Sequence, residues 1–298
     1  MKIVVAGGTG FLGEPLVARL VARGDDVTVL TRNPQKVATG RGMQWDARTQ
    51  GAWSDEAAQA DVVINLAGEN IGEGRWTAER KRRLIDSRLN ATNAIVEALR
   101  REPSRARTMI NASAVGIYGD RGDETLDESS PRGAGFLAEL VTQWEAAART
   151  AESVARLVIL RFGVVLAPDG GALKKLLLPF KLGVGGPIGN GKQWMSWIDR
   201  EDALRLVEWA IDTLNARGVY NGTAPEPLRN RDFSRVLARA LHRPAIFPTP
   251  SFALRLLFGE MADEAVLASQ KAVPRRAMDE GFRYERSTLA ESLARQLR

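Results

Sequence analysis

Ile3-Val4-Val5-Ala6-Gly7-Gly8-Thr9-Gly10-Phe11-Leu12-Gly13 is the stretch of the chain that decides the fold. An apolar run of strand character leads into three glycines with the spacing Gly-x-x-Gly-x-x-Gly, and a helical pattern follows directly. Gly7 permits a tight turn, Gly10 lets the backbone approach a ligand, and Gly13 allows close packing of helix on strand. The start of the helix offers unpaired N–H groups and a positive dipole end to phosphates. This order of strand, turn and helix predicts a site for the pyrophosphate of a dinucleotide.

Beyond this turn, the first half of the chain alternates short β-branched runs with helical patterns. The alternation is typical of βαβ units and of a parallel sheet that is covered on both faces. We predict strands at Lys2–Ala6, Asp26–Thr31, 43–46, 61–66, 108–112 and 156–166, and the clearest helices at 12–23, 77–100 and 136–151. The expected fold class is therefore α/β, a Rossmann-type doubly wound parallel sheet with a smaller, mostly helical substrate-side and C-terminal region.

The alternation of strands and helices ends near residue 167. The glycine-rich segment 181–192 interrupts it and precedes Trp194-Met195-Ser196-Trp197, which indicates a loop near a pocket. A helix at 201–214 and a strand at 219–222 are predicted next, followed mostly by helix. We expect a nucleotide-binding Rossmann domain at 1–166, to which 201–223 returns. Residues 167–200 and 224–298 are expected to form the substrate side and a C-terminal module.

The composition excludes several kinds of site. The 298 residues include no cysteine and one histidine, which excludes disulfides and thiolate catalysis and leaves little material for a metal site. We therefore expect no metal. The formal charge of +6 comes partly from the basic stretches 79–83 and 100–107, which are mixed with acids and contain no aromatic residues. Such stretches favour a solvated face over the alternative of polyanion binding, so we expect no nucleic acid partner.

The chain opens on a strand pattern and not on the charged, apolar and small-residue succession of a signal peptide. No apolar run approaches the roughly 20 residues that span a bilayer. We therefore expect a cytoplasmic protein without a membrane partner.

The end of the second strand predicts which dinucleotide is bound. It reads Thr31-Arg32, where proteins that prefer NAD usually carry an acid for the adenosine 2′-hydroxyl. A carboxylate would repel a 2′-phosphate, whereas Arg32 can bind it through charge-assisted hydrogen bonds and Thr31 adds a hydroxyl donor. The sequence therefore predicts NADP(H) over NAD(H), the alternative being that Arg32 is an ordinary surface arginine.

Two further strand ends are expected to border the cofactor. Asp46, after the third strand, is placed to meet the adenine, with a helix cap as the alternative. The segment 66–68 follows the fourth strand, and strand carboxyl ends line the ligand crevice in open α/β sheets. Together with the turn, the predicted contacts are Gly7, Thr9, Gly10, Phe11, Leu12, Gly13, Thr31, Arg32, Asp46, Leu66, Ala67 and Gly68.

Several motifs carry a resemblance to a known family over nearly the whole chain. They are the glycine turn, Asn65-Leu66-Ala67-Gly68, Asn-Ala-Ser-Ala-Val-Gly-Ile-Tyr-Gly at 111–119, Leu-Arg-Phe-Gly-Val-Val-Leu at 160–166, Trp144-Glu145 and Gly-Gly-Pro-Ile-Gly at 185–189. With these the chain resembles the extended short-chain dehydrogenase/reductase superfamily, and more narrowly its atypical subgroup of NAD-dependent epimerase-dehydratase-like "epimerase family" proteins. The tail from about residue 245 resembles the small C-terminal module of unknown function in that subgroup.

The resemblance implies more than the residues alone. It implies a small-molecule or nucleotide-linked substrate and, as one option, a homodimer formed through 77–100 and 136–151. Extended members commonly read Asn-x-x-x-Thr on the helix after the fourth strand, with the Asn facing the cofactor, and the same spacing here runs from Arg88 to Thr92. Arg88 is thereby expected to contact the phosphate or ribose of NADP, the alternative being a salt bridge on the helix surface.

The catalytic pair of the superfamily is missing. Its reaction uses a Ser or Thr that orients the substrate, a Tyr that transfers the proton, and a Lys four residues on that lowers the pKa of the Tyr. Ser113 matches the first role, but 136–140 reads Phe-Leu-Ala-Glu-Leu where Tyr-x-x-x-Lys is expected. The remaining candidates are Tyr118, with a pocket wall or a loop anchor as the alternative, and Glu69, as an acid/base or a ribose ligand. The subgroup's Trp-Ile-His word ends in Asp199 here, so a role of its histidine is not carried over.

Two functions therefore stay open at this point. The first is an NADP-dependent oxidoreductase or epimerase-like enzyme that lacks the Tyr-x-x-x-Lys pair. The second is a non-catalytic NADP(H)-binding regulator or redox sensor, which the loss of the pair favours. Turnover that depends on Ser113 and Glu69 distinguishes the first from the second.

Overall fold

The fold is taken from a computed structural model, which describes residues 1–105 and 107–297. The strands are β1 (Lys2–Ala6), β2 (Asp26–Thr31), β3 (Arg41–Gln44), β4 (Val62–Asn65), β5 (Thr108–Ala114), β6 (Thr125–Leu126), β7 (Arg156–Phe162), β8 (Val164–Ala167), β9 (Trp194–Met195), β10 (Trp197–Asp199), β11 (Gly218–Gly222), β12 (Leu228–Arg229) and β13 (Lys271–Ala272). The helices are α1 (Gly13–Ala22), α2 (Ala52–Gln59), α3 (Ala78–Leu99), α4 (Phe136–Arg149), α5 (Gly171–Lys181), α6 (Arg200–Asp212), α7 (Asn230–Ala240), α8 (Ser251–Phe258), α9 (Arg275–Asp279) and α10 (Leu289–Gln296).

A seven-stranded parallel sheet forms the centre of the molecule, in the order β11-β7-β5-β4-β1-β2-β3. Apolar side chains alternate along β1, so that Ile3 and Val5 face one layer of helices while Val4 and Ala6 face the other. The first layer contains α1 and α6, and the second contains α2, α3 and α4. The predicted α/β fold class, a doubly wound Rossmann-type sheet, is thus confirmed.

The largest differences from the predicted bounds concern three strands. The third strand begins at Arg41 and not at 43, because pairing with β2 already starts there. The predicted strand 156–166 is two strands, since the chain leaves the central sheet at Gly163 and β8 pairs with β10 in a separate sheet. The fifth strand continues to Ala114 along β7, so Ser113 lies within the strand and not after it.

The region after β8 is mostly helical and has its own apolar cluster, which includes Leu173, Phe180, Trp197, Phe233 and Leu293. Strand β11 returns to the central sheet as its edge strand beside β7. Among the described residues, no helix combines the length and the apolar character that crossing a bilayer requires.

Asp199 fastens the carboxyl-terminal helix to this framework. The residue is fully buried, and its carboxylate caps α6 by accepting a hydrogen bond from the Glu201 N–H at 2.8 Å. The same carboxylate accepts hydrogen bonds from Arg286 and from the Ser292 hydroxyl, each at 2.6 Å. In this chain the aspartate that ends the Trp-Ile-x word is therefore occupied by structural contacts.

Candidate functional site

The glycine turn between β1 and α1 is built for close approach of backbone. Gly7 has φ +78°, and a Cβ atom there would lie 2.8 Å from the carbonyl carbon of Leu66. A Cβ atom at Gly13 would overlap the carbonyl oxygen of Gly7. The backbone N–H groups of Phe11 and Leu12 have no acceptor within the described part of the chain. The turn therefore presents free donors at a helix start, which suits the pyrophosphate of a dinucleotide.

A cavity of about 840 Å³ opens over this turn at the carboxyl edge of the sheet. The predicted cofactor contacts that line it are Gly7, Thr9, Gly10, Thr31, Arg32, Asp46, Leu66, Ala67 and Gly68, together with the candidate Glu69. Phe11, Leu12, Gly13 and Arg88 are not among its lining residues. The Phe11 ring instead packs against Gly170 and Gly171, and the Arg200 guanidinium lies 5.3 Å from its centroid.

The end of the cavity beside β2 and β3 carries two unpaired cations. The guanidinium groups of Arg32 and Arg48 are exposed, and neither forms a hydrogen bond or an ion pair with the described residues. The sequence predicts Arg32 here from its place after β2 but does not predict Arg48, although a basic residue two positions after Asp46 is visible in it. Two free guanidinium groups at one cavity end suit a phosphate monoester.

Asp46 shapes the turn that carries Arg48. Its carboxylate accepts hydrogen bonds from the backbone N–H groups of Arg48 and Thr49 and from the Thr49 hydroxyl, each at 2.8 Å. The hydrogen bonds from Thr49 and Arg48 hold the pKa of Asp46 below its ordinary value. The carboxylate thus borders the cavity, while both of its oxygens already accept hydrogen bonds from the turn.

Trp45 forms a buried wall of the cavity that sequence reasoning also missed. It is 5% exposed, and its ring meets the Trp53 ring edge-on with centroids 5.6 Å apart. Its buried indole N–H has no hydrogen-bond partner among the described residues. A buried polar atom without a partner beside a cavity is typical of a ligand site.

Arg88 lies outside the lining of the cavity, between Gly68 and the ring of Trp144. A Cβ atom on Gly68 would lie 3.2 Å from the Arg88 guanidinium carbon, and the Trp144 ring centroid is 5.1 Å from that carbon. Its terminal nitrogens donate to the carbonyl oxygens of Leu84 at 2.9 Å and Glu69 at 3.1 Å. Burial lowers the pKa of Arg88 to about 10. Arg88 therefore holds the segment 68–69 against helix α3.

Glu69 lines the cavity, and its carboxylate is already part of an ion pair. Its carboxylate forms an ion pair with Arg80, and its backbone N–H donates to the Ser87 hydroxyl at 3.1 Å. These bonds join the segment after β4 to helix α3.

A buried polar network holds Ser113. The Ser113 hydroxyl donates to Glu145 Oε1 at 2.6 Å, and Arg161 donates to both oxygens of that carboxylate at 2.7 and 2.8 Å. The three residues are 4 to 6% exposed. Although burial disfavours its charge, hydrogen bonding to Glu145 raises the pKa of Arg161 above the ordinary value. Glu145 is a site residue that its motif word Trp144-Glu145 could have pointed to.

Tyr118 belongs to the same network. Its hydroxyl accepts a hydrogen bond from Arg161 at 3.0 Å and lies 2.8 Å from Asn221 Oδ1 and 2.9 Å from the Asp127 carbonyl oxygen. The side chain is fully buried, and burial raises the pKa of Tyr118. The hydroxyl is therefore directed into protein contacts.

The position of the missing tyrosine is apolar. Phe136 meets Trp76 edge-on at 5.1 Å between centroids, and the Lys81 ammonium lies 5.0 Å from the Phe136 centroid. Leu140, where the lysine is expected, is 2% exposed. No proton donor stands at either position.

Two family models and several curated relatives match the chain. The model of the NAD dependent epimerase/dehydratase family matches residues 3–221, and that of a domain of unknown function matches residues 249–296. An epimerase family protein of Mycobacterium bovis is 39% identical, over 98% of this chain and 96% of its own length. The human epimerase family protein SDR39U1 is 37% identical over 98% of both chains.

Solved structures also match the chain. A crystal structure of human SDR39U1 (isoform 2) with NADPH matches with a TM-score of 0.89 and 35% identity, over 99% of both chains. MoeE5 in complex with UDP-glucose and NAD matches with a TM-score of 0.80 at 21% identity, over 100% of this chain and 97% of that one, and shows the fold alone. The resemblance that the motifs carry is confirmed, and this chain belongs to the NAD dependent epimerase/dehydratase family.

Proposed function

We propose that this protein is an NADP(H)-dependent oxidoreductase or epimerase-like enzyme that acts on a small or nucleotide-linked substrate. The observation that carries the proposal is the buried hydrogen bond from Ser113 to Glu145 at the carboxyl edge of β5. This hydrogen bond would supply a proton path that does not need the usual tyrosine, although Ser113 and Glu145 are not among the residues that line the cavity. NADPH in the structure of the 35% identical human relative supports the choice of cofactor.

The residues of the chain fit this cofactor. The turn from Gly7 to Gly13 would hold the pyrophosphate, with the free N–H groups of Phe11 and Leu12 as donors. Arg32 and Arg48 would bind the 2′-phosphate, because both guanidinium groups lack a protein partner at that end of the cavity. Bound NADP(H) would supply a hydride donor or acceptor at the nicotinamide.

The residues of the chain itself would then have to transfer the proton. Ser113 donates its hydroxyl proton to Glu145, so its oxygen offers lone pairs to a substrate hydroxyl. As an alcohol is oxidised, its proton would pass to the Ser113 oxygen while the proton of Ser113 moves onto Glu145. Arg161 holds the carboxylate in place through both oxygens, and the reverse transfers would protonate a carbonyl oxygen during reduction.

The other two candidates receive positioning roles. Tyr118 is directed to Asn221 and Arg161, so we assign it to the wall behind Ser113. Glu69 is paired with Arg80, so we assign it to holding the segment after β4 against α3.

Turnover with matched serine variants tests the proposal. Oxidation of NADPH is followed across a panel of carbonyl compounds and nucleotide sugars with the wild type, Ser113→Ala and Glu145→Gln. Ser292→Ala is the matched control, since Ser292 also donates to a buried, arginine-paired carboxylate at 2.6 Å but lies in α10. We expect turnover that falls at least about a hundredfold in the two site variants, in the range of general acid–base catalysis, and not in the control. Wild-type turnover that Ser113→Ala leaves unchanged overturns the proton path.

A non-catalytic NADP(H)-binding regulator is the second candidate. Its support is that Phe136 and Leu140, whose own side chains carry no titratable group, stand where the superfamily has its catalytic pair. Tight NADPH binding without turnover on the panel, together with a protein partner that only one redox form retains, favours this function over the enzyme.

A further inference from the structure

An apolar strip lies on the surface of the carboxyl-terminal half, away from the lining of the cofactor cavity. We define it by six side chains that are 54 to 72% exposed: Leu182, Val184, Ile246, Phe247, Phe252 and Leu256. An exposed patch of large aliphatic and aromatic side chains marks an interaction surface, whereas single exposed apolar residues are normal.

Backbone contacts bring the segments that carry the strip together, although they are far apart in sequence. The Thr249 N–H donates to the Pro187 carbonyl oxygen, and the Gly189 N–H donates to the Thr249 carbonyl oxygen, both at 2.8 Å. A Cβ atom on Gly186 would overlap the carbonyl oxygen of Phe247. The segments 182–189 and 246–249 therefore run side by side, and α8, which carries Phe252 and Leu256, begins where they end.

A row of arginines borders the strip. On α7 and just beyond it, an arginine occurs at every fourth position from 231 to 243, so that the side chains within the helix share one face. The row begins at Gly191, whose carbonyl oxygen accepts from the Arg231 N–H at 2.9 Å. It ends at Lys181, whose carbonyl oxygen accepts from Arg243 Nε at 3.0 Å. The row therefore meets the segment 181–191 at both of its ends.

Little negative charge neutralises this row. Asp232 is shared by Arg235 at 3.0 Å and Arg231 at 3.7 Å, while Arg239 and Arg243 have no ion pair within the described residues. Apolar side chains beside unpaired cations suit a partner that offers both hydrocarbon and negative charge.

We propose that this face docks onto an anionic phospholipid surface. The apolar side chains would enter the boundary between headgroups and acyl chains, and the arginines would meet the lipid phosphates. A second copy of the chain fits less well, since a symmetric contact would set the arginine rows against each other. A nucleic acid would leave the apolar side chains without a partner. The absence of a spanning segment, on which the expectation of no membrane partner depends, does not bear on a surface contact of this kind.

Vesicle co-sedimentation of the full chain tests the proposal. The vesicles are phosphatidylcholine alone, or two parts phosphatidylcholine to one part phosphatidylserine. We expect binding to the anionic vesicles that weakens as salt is raised. Arg239→Glu should lower the partition coefficient about fivefold or more, and Phe252→Ser together with Leu256→Ser should lower it at least as much.

Two controls are matched in kind. Arg82→Glu makes the same charge change on α3, where Arg82 is exposed and carries no ion pair within the described residues. Leu214→Ser removes an exposed leucine outside the strip. Both should bind as the wild type does.

Each contrary outcome overturns the proposal in a specific way. Equal binding to both kinds of vesicle, or to neither, removes the anionic lipid surface. Self-association that the Phe252→Ser and Leu256→Ser variant abolishes, without vesicle binding, assigns the strip to a second copy. Binding of single-stranded RNA that Arg239→Glu weakens and Phe252→Ser does not, without vesicle binding, assigns the arginine row to nucleic acid.

Discussion

The carboxylate of Glu264 caps helix α4 by accepting hydrogen bonds from the backbone N–H of Phe136 at 2.8 Å and from that of Leu137 at 2.7 Å. Glu264 lies in the π-helical turn Ala262–Leu267, 128 residues from Phe136 along the chain. Helix α4 has no side-chain cap of its own, because glycine stands at its N-cap position 135. The carboxyl-terminal module thus supplies the cap at the place where the superfamily keeps its catalytic tyrosine.

Removal of this cap should destabilise the protein. We expect Glu264→Ala to lower the free energy of unfolding by about 1 to 2 kcal/mol, since two backbone donors lose their acceptor and the helix dipole loses its counter-charge. Urea unfolding followed by circular dichroism measures the effect. The neighbour Asp263, which is exposed and pairs with Arg255, provides the control Asp263→Ala, expected to stay within about 0.5 kcal/mol. Equal effects of the two variants contradict the capping role.

The sequence predicts those parts of the site that contiguous residues form. The run of β1, turn and α1 needs only Gly7, Gly10 and Gly13 at fixed spacing, and Arg32 is found because it directly follows β2. Local geometry decides these positions, so a local pattern reports them.

Two features that the sequence does not predict, the role of Glu145 and the cap on helix α4, depend on contacts between distant residues. Glu145 lies 32 residues from Ser113, and the cap on Phe136 comes from a different part of the molecule. Burial of a charged pair such as Glu145 and Arg161 leaves no periodic signal, so the motifs that contain the two residues do not show that they pair. The third strand was misplaced by two residues for a related reason, since pairing with β2 sets its start and not its own composition.

Preference for NADPH over NADH should depend on the two free guanidinium groups. We expect Arg32→Glu to weaken NADPH binding about 10- to 100-fold, because charge-assisted hydrogen bonds are lost and a negative charge is added, and to leave NADH binding nearly unchanged. Arg48→Ala should act in the same direction with a smaller effect. Titrations of cofactor fluorescence measure both affinities, and Arg82→Glu on α3 is the control for a general charge effect. Equal affinities of the wild type for the two cofactors contradict the 2′-phosphate site.

The close approach at Gly7 should matter beyond its backbone conformation. Gly7 and Gly24 both have positive φ, +78° and +91°, so an alanine is strained at either position. A Cβ atom at Gly7 would lie 2.8 Å from Leu66, whereas one at Gly24 would meet nothing within 4 Å. We expect Gly24→Ala to cost about 1 kcal/mol of stability and to leave NADPH binding intact. Gly7→Ala should cost more and should abolish NADPH binding in the same titration. Wild-type affinity in the Gly7→Ala variant contradicts a cofactor turn at this place.

Asp61 gives the stability a pH dependence whose sign is fixed. Its carboxylate accepts from the Lys2 N–H at 2.8 Å and from Arg105 at 2.6 Å, and the hydrogen bond from Lys2, with help from Arg105, lowers the pKa of Asp61. Because the folded-state pKa lies below the unfolded value near 3.8, the contribution is complete above that value and is lost as the pH falls through the folded pKa. The side chain is 40% exposed, so solvent screening keeps the effect of Asp61→Asn at neutral pH below about 1 kcal/mol.

Urea unfolding of the Asp61→Asn variant and of the wild type should therefore show a stability difference near neutral pH that shrinks as the pH is lowered below 3.8. A difference for Asp61→Asn that stays constant or grows in acid contradicts the assigned direction of the shift, since it requires that the folded protein binds the proton more tightly than the unfolded chain does.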